Sequence, residues 1–279
     1  MLLEIFDVEH GACALVTTSN GRRALIDCGH NATTGWYPGT ALANKGVDFL
    51  DRLFITNFDE DHVSGIRDLQ THVYIQTLVR NPTVGVSELY ALKSQNGMGP
   101  GVRTMAQNIQ RVFIGGPPTL LDEADFGDTV FRTYYNSYGP YGGFLDSNNL
   151  SMVVFVSCGG HKIVFPGDME KAGWQALLSN PAFRRDLSDV TLFVASHHGR
   201  ENGLSHPALS LCQSIQAVII SDQHLGYQSQ ETVAEYRKYA RGIEYDGKLR
   251  RVLTTRSDAS MRFELSKGGG GHVRLNMVA

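Results

Sequence analysis

Polar residues of metal-ligand type directly follow several apolar runs of this sequence, and this arrangement constrains the fold more than any other feature. The clusters are Asp27 after RRALI, Asp59, Asp61 and His62 after LFIT, Asp168 after HKIVFPG, and His197 and His198 after LFVAS. A turn or a cap explains any one of them. Several in one chain indicate a hydrolytic metal centre at the carboxyl ends of strands, since carboxylates and imidazoles are its ligands.

The stretch TNFDEDHVSGI contains the densest of these clusters. Asp59 and Asp61 alternate, so both face the same way in an extended or turn segment while Glu60 points to solvent or supports a ligand. Asp61 and His62 are adjacent and ligate one ion together only if the backbone turns sharply. We therefore expect a loop rather than a helix at this point.

Alternation of apolar runs and turn residues predicts a mixed α/β order of elements. Strands are expected at LLEIFDV, ACALVTT, RRALIDCG, LFIT, HVYIQTLV, DVTLFVAS, AVIIS, RRVLTT and SMRFEL. LSMVVFVS and HKIVFPGD predict a hairpin that turns at Gly159–Gly160. Helices are expected at ALANKGVDFLDR, VSELYALKSQ, TMAQNIQRVF, PALSLCQSI and SQETVAEYRKYAR. No repeat or linker divides the chain, so we expect one domain over residues 1–279.

Charge and composition restrict the function less. A net charge of −3 neither requires nor excludes a nucleic-acid partner. The last fifty residues carry ten lysines and arginines against six acids, which suits a polyanion but also a solvated helix face and strand edge. Four scattered cysteines indicate reduced thiols in a cytoplasmic protein. The acidic start MLLEIFDVEH is unlike a signal peptide, and no apolar run approaches the roughly 20 residues that cross a membrane.

The stretch TNFDEDHVSGI resembles the metal-binding loop of the metallo-β-lactamase superfamily, whose pattern is His-x-His-x-Asp-His after a strand. Asp in the second ligand position resembles the competence-protein, ComEC-like branch. FDVEHGACALV with ALIDCG, NNLSMVVFVSCGGHKIVFPGD, ASHHGR and RVLTTRSDASMRFEL resemble further stretches of that branch in the same order. The resemblance spans nearly the whole chain and implies an αββα sandwich, with two mixed β-sheets flanked by helices, and a metal-dependent hydrolase.

The resemblance also implies a role for each matching residue. Asp61 and His62 would bind the second metal, and Asp168 would bridge two metals and either hold the ions or accept a proton. His198 would be the other ligand of the second metal and His197 a proton donor or substrate contact, although the sequence does not decide between these two histidines. Asp27 would orient the loop.

The first metal would have an unusual ligand set. Asp59 matches a ligand, but Asn57 stands where the superfamily has its first histidine, and Asn149 or Asn148 falls near the place of the third ligand. Such an all-oxygen set suits Mn²⁺ or Mg²⁺, whereas a site with His62 and His198 accepts Zn²⁺. We expect one or two divalent ions, with Mn²⁺ or Zn²⁺ favoured and Mg²⁺ allowed.

Five residues are candidates for contact with an anionic substrate, namely His10, Arg200, His224, Tyr227 and Arg256. The leading function is hydrolysis of phosphodiesters in nucleic acid through a metal-activated water. One alternative is hydrolysis of a small phosphoester or carboxylic ester, because the fold does not decide the substrate. The other is a non-catalytic binding protein with an incomplete metal site, marked by Asn57. The sequence predicts no oligomeric state.

Overall fold

Short apolar strands form two mixed sheets in the computed structural model, which describes residues 1–94, 97–113, 126–223, 232–245 and 247–265 and the backbone of 274–275. The first sheet has the strand order β15-β14-β1-β2-β3-β4-β5. Its strands are β1 (Leu2–Ile5), β2 (Ala14–Thr17), β3 (Arg23–Ile26), β4 (Phe49–Phe54), β5 (Tyr74–Val79), β14 (Met261–Glu264) and β15 (Arg274–Leu275).

The second sheet has six strands in the order β13-β10-β9-β8-β7-β6. They are β6 (Val130–Tyr135), β7 (Met152–Cys158), β8 (His161–Phe165), β9 (Leu192–Val194), β10 (Ala217–Ile220) and β13 (Val252–Thr254). A separate antiparallel ribbon joins β11 (Ile243–Tyr245) to β12 (Lys248–Arg250).

Helices cover the outer faces of both sheets. They are α1 (Pro38–Asn44), α2 (Glu60–Val63), α3 (Ile66–His72), α4 (Val86–Lys93), α5 (Pro100–Arg111), α6 (Lys171–Leu177), α7 (Pro181–Ser188), α8 (His206–Leu211), α9 (Val233–Arg237) and α10 (Thr255–Asp258). A 3₁₀ turn covers Ser196–Gly199. In the part of the chain that the structure describes, none of these helices is long and apolar enough to cross a bilayer.

Three apolar cores hold the layers together. The central core joins inward-facing residues of the two sheets, including Phe54 of the first and Val154 of the second. One outer core packs α1, α3, α4 and α5 against the first sheet, and the other packs α6, α7, α8 and α9 against the second. The expected αββα sandwich is therefore confirmed, because each sheet buries one face against its partner and the other under helices.

Parallel pairing places the polar clusters at the edge where strands end. β3 pairs in parallel with β4, and β8 pairs in parallel with β9, which pairs in parallel with β10. The carboxyl ends of parallel strands meet at one edge of their sheet. The residues that follow β3 and β4 are thereby gathered in the first sheet and those that follow β8, β9 and β10 in the second, and the contact of His62 with Asp168 joins the two groups.

The expected hairpin is confirmed, whereas the helix expected over ALANKGVDFLDR extends into a strand. β7 and β8 pair antiparallel around Gly159 and Gly160, whose φ angles of 58° and 87° suit glycine. The helix predicted over ALANKGVDFLDR ends at Asn44. Gly46, with φ of 75°, breaks it, and FLDRLF instead forms β4 because it pairs on both edges, with β3 and β5.

Candidate metal centre

Asp27 fixes the chain that leaves β4. It adopts a left-handed φ of 58° immediately after β3. Its carboxylate accepts hydrogen bonds from the backbone N–H of Thr56 at 2.7 Å and from the Thr56 hydroxyl at 2.5 Å. The same carboxylate lies 2.9 Å from Nδ1 of His62. Asp27 thus orients both the start of the loop and the imidazole at its end.

The sharp turn at Asp61 and His62 is helical, so the expectation of a loop there is wrong. Residues Glu60–Val63 form the short helix α2, with Asp59 at its N-cap. The Glu60 carboxylate accepts hydrogen bonds from the backbone N–H groups of Gly101 at 2.8 Å and Val102 at 3.1 Å. Glu60 therefore ties α2 to the first turn of α5, which stabilises the helix beyond what a single turn achieves alone.

The two histidines after β9 adopt left-handed conformations, with φ of 51° at His197 and 53° at His198. Nδ1 of His198 lies 3.1 Å from the backbone carbonyl of Ser221. A carbonyl oxygen only accepts, so Nδ1 carries the hydrogen and Nε2 points the other way. Nε2 lies 3.1 Å from Asp61 and 3.3 Å from Asp168.

Asp61, His62, Asp168 and His198 converge on one point. One ligand atom from each lies within 4.8 Å of the others. Nε2 of His62 lies 3.1 Å from Asp168, and Nε2 of His198 is buried without a well-directed hydrogen bond. Each imidazole has its other nitrogen held by a carboxylate or a carbonyl, which is the usual support of a metal-binding histidine. The donor set fits a divalent ion.

Mutual attraction shifts the ionisation of these four groups. Burial lowers the pKa of His62, but the carboxylates of Asp168 and Asp27 raise it well above its usual range. Burial also opposes ionisation of His198, yet Asp168 and Asp61 raise its pKa to about 10. Burial raises the pKa of Asp168, and the two imidazoles then lower it well below the ordinary value. The carboxylates thus favour positive charge at this point, which a bound cation would supply in place of protons on the imidazoles.

The residues assigned by resemblance to a first metal point elsewhere. Oδ1 of Asn57 accepts a hydrogen bond from the backbone of Asp59 at 2.8 Å, and its amide nitrogen donates to Ser151 at 3.2 Å and to Asn148 at 3.4 Å. Oδ1 of Asn149 accepts from the backbone of Gly173 at 2.7 Å. Both amides are thus committed to protein partners, and their metal-ligand roles stay predictions.

Asp59 contacts a residue that the sequence did not single out. Its carboxylate forms an ion pair with the ammonium group of Lys93, which also lies 3.5 Å from the Ser147 hydroxyl. Lys93 is the last residue of α4, and a lysine at the end of a predicted helix carries no signal of a site. Only the packing of α4 against the loop brings the two together.

His197 lies beside the four-residue cluster rather than in it. Its Nε2 faces Nη1 of Arg200 at 3.3 Å, and its Nδ1 lies 3.5 Å from the Glu170 carboxylate. Burial lowers the pKa of His197, against the attraction of Asp168. Because a guanidinium only donates, Nε2 of a neutral His197 accepts from Arg200 and Nδ1 carries the hydrogen.

The candidate substrate contacts are only partly described. The His10 ring stacks on that of His198 with centroids 6.3 Å apart, and Nδ1 of His10 accepts a hydrogen bond from the backbone of Gln223 at 3.1 Å. Arg256 pairs with the buried Asp222 at 2.9 Å. His224 and Tyr227 lie outside the described residues. The structure therefore places His10 beside His198 and Arg200 beside His197, and holds Arg256 in an ion pair with Asp222.

The family model of the metallo-beta-lactamase superfamily matches residues 6–198. The chain belongs to this superfamily of metal-dependent hydrolases, and the predicted membership is confirmed. Over 275 residues it is 26% identical to the competence protein ComA of Neisseria gonorrhoeae, an alignment that covers 98% of this chain and 33% of ComA. The chain thus spans about a third of the length of this curated relative.

Other similarities are shorter or more distant. Over 56 residues the chain is 43% identical to the anti-Pycsar protein Apyc1 of Bacillus phage 010DV004, which is 20% of each protein. A metallo hydrolase of Ignicoccus hospitalis superposes with a TM-score of 0.49 and 13% identity over 95% of this chain and 100% of that one. A diphosphatase of the PhnP family superposes with a TM-score of 0.47 and 10% identity, over 95% of this chain and 99% of the diphosphatase.

Proposed function

We propose that this chain hydrolyses phosphodiester bonds in nucleic acid, with a divalent metal ion held by Asp61, His62, Asp168 and His198. The observation that carries the proposal is the convergence of these four side chains within 4.8 Å, with both imidazoles supported from behind. Two nitrogens and two carboxylates accept both Zn²⁺ and Mn²⁺. When bound, such an ion supplies a nucleophile near neutral pH and neutralises charge on the phosphoryl group.

The open side of the centre is at Asp61. Its side chain is 36% exposed, whereas those of His62, Asp168 and His198 are at most 5% exposed. The Asp61 carboxylate is therefore the group that an incoming water meets first, and we assign to it the acceptance of the water's proton. The imidazoles hold the pKa values of Asp61 and Asp168 below the ordinary value, against the effect of burial, so both are ionised, and the more deeply buried Asp168 is assigned to hold the ion.

His197 and Arg200 form the anion-binding side of the proposed site. Because Nε2 of His197 faces the Arg200 guanidinium, the imidazole fixes the direction in which the guanidinium points. A guanidinium binds the paired oxygens of a phosphoryl group well. We therefore assign substrate contact to Arg200 and its positioning to His197, and place His10 at the rim beside His198.

Nucleic acid as the substrate rests on similarity more than on charge. The alignment with the competence protein ComA extends over 98% of this chain. Charge contributes less, because Arg250, Arg256 and Lys238 are each paired with a carboxylate. The basic carboxy-terminal region is therefore a weaker attractant for a polyanion than its composition suggests.

Metal content and cleavage, measured together, test the proposal. The purified protein is assayed for bound metal and for cleavage of single- and double-stranded DNA and RNA with Mn²⁺, Mg²⁺ or Zn²⁺. The expected result is metal-dependent cleavage that D168N and H198Q abolish and that H72Q, a histidine exchange at an exposed position of α3, leaves unchanged. If the protein cleaves a small ester but no nucleic acid, the alternative of a small-ester hydrolase replaces the nuclease proposal. If the protein neither binds metal nor hydrolyses any of these substrates, the alternative of a non-catalytic binding protein is favoured.

A further inference from the structure

A cation from α4 already lies against the loop that carries Asp59. The Lys93 ammonium pairs with the Asp59 carboxylate and approaches Ser147, and its side chain is 11% exposed. A lysine ammonium is a compact point charge with three donors. In the half-site formed by Asp59, Asn57 and Asn149, a positive charge therefore already pairs with the carboxylate that would ligate an ion.

The other side chains of this half-site do not fit a metal ion. Asn57 accepts from Asp59 and donates to Ser151 and Asn148. Asn149 accepts from the Gly173 backbone and donates to Asp146 at 3.2 Å. The Oδ1 atoms of both amides are therefore oriented by backbone N–H groups rather than toward each other around an ion. No imidazole joins them in the described residues, since the metal-type cluster found there is the one at Asp61, His62, Asp168 and His198.

Lys93 nevertheless belongs to the same centre. Asp59 precedes Asp61 by two residues in the chain. One hydroxyl links the two halves, because Ser151 Oγ accepts from the Asn57 amide at 3.2 Å and from the backbone N–H of Asp168 at 3.0 Å. The ammonium is therefore held beside the four-residue cluster by the elements that build it.

We propose that the Lys93 ammonium takes the place of a second metal ion, so that the centre holds one divalent ion beside a built-in cation that binds an anionic oxygen of the substrate. This inference rests on the proposed function for the presence of the first ion. The ammonium neutralises Asp59, and the donor that remains beyond its contacts with Asp59 and Ser147 is assigned to an anionic oxygen of the substrate. The ammonium then supplies positive charge beside the ion, though less than a second metal would.

The test counts ions by elemental analysis after saturation with Zn²⁺ or Mn²⁺ and removal of excess. Wild type and N57H are expected to bind one equivalent, because the ammonium blocks the half-site in both. N57H/K93M, which removes the ammonium and supplies an imidazole, is expected to bind two. K45M, the same exchange in the exposed Lys45–Glu4 pair, is expected to stay at one.

Any other number of bound metal ions in wild type or in these variants contradicts the inference. Two equivalents in wild type, or one in N57H/K93M, would show that Lys93 does not replace an ion, while the hydrolase proposal would stand. If wild type binds no metal and hydrolyses no substrate, both the Lys93 inference and the hydrolase proposal are contradicted. Steady-state kinetics add a readout on folded protein: K93M is expected to raise KM for a phosphodiester about tenfold or more, and K93R to restore much of the loss. An unchanged KM in K93M would contradict substrate contact.

Discussion

Nδ1 of His62 lies 2.9 Å from the carboxylate of Asp27, a residue 35 positions earlier that also holds the loop through Thr56. This contact directs Nε2 of His62 toward Asp168. Supporting carboxylates of this kind raise the basicity of a ligating imidazole and fix its tautomer. Asp27 therefore controls metal affinity from outside the ligand set.

Weakening that support is expected to reduce metal affinity without abolishing the fold. D27N keeps the size of the side chain and leaves a weaker acceptor for His62, so metal affinity is expected to fall about 10- to 100-fold. Competition with a coloured chelator measures the change. D51N, at a buried aspartate that pairs with Arg22 instead, is the matched control. Equal affinity in D27N and wild type would contradict the role of Asp27.

Metal removal is expected to destabilise the protein through the same four ligands. An ion present at 100 times its dissociation constant stabilises the folded state by about 2.7 kcal/mol. Chelation of wild type should therefore lower the melting temperature seen by calorimetry. H198Q should melt at the same temperature with and without chelator, whereas H72Q should respond as wild type does. A chelator response in H198Q equal to that of wild type would exclude His198 as a ligand.

Close backbone packing at Gly11 is expected to be essential for the position of Asp61. A Cβ atom at Gly11 would lie 2.7 Å from the backbone oxygen of Asp61 and 3.0 Å from that of Val8. G11A should therefore destabilise the protein by about 1–3 kcal/mol and weaken metal binding. In G85A the new methyl meets only the flexible end of Glu88. Denaturant unfolding and metal titration of both variants check this prediction. Equal free energies of unfolding and equal metal affinities in G11A and G85A would refute it.

An ion-pair cluster behind the second sheet is expected to set acid stability. Asp186 accepts hydrogen bonds from Tyr134 at 2.6 Å and Lys162 at 2.8 Å, and lies 3.3 Å from Arg132. Burial raises the pKa of Asp186, but Lys162 and Tyr134 lower it more, so that it lies below the ordinary 3.8. Tyr134 is affected in turn, because burial and Asp186 raise its pKa to about 12.

The sign of the pH effect follows from that depressed pKa. The stabilisation from Asp186 is fully present above its unfolded pKa of 3.8 and is lost as the pH falls through the lower folded value. In metal-free protein D186N is expected to cost about 1–3 kcal/mol at neutral pH and to flatten the pH dependence of unfolding below pH 4. D189N, at a 73% exposed neighbour of Lys162, should keep the wild-type profile. A wild-type profile in D186N would refute the assignment.

The sequence by itself determined the order of elements and the residue types of the centre. Apolar runs of strand length, each followed by carboxylates or imidazoles, depend on local patterning. They therefore predicted a mixed α/β order and drew attention to Asp61, His62, Asp168 and His198, whereas the sandwich was implied by the resemblance to the metallo-β-lactamase superfamily. The helical turn of α2 was missed because one turn has little propensity of its own and is stabilised by Glu60 reaching α5.

Only the tertiary structure decided which of those side chains contact one another and which other residues contact them. His62 and Asp168 are 106 residues apart, and Lys93 and Asp59 are 34 apart. No local pattern encodes such contacts, because they arise when two sheets pack and bring separate strand ends together. The same packing turned Asn57 and Asn149 toward protein partners and placed the Lys93 ammonium against Asp59, where the sequence alone predicted a metal.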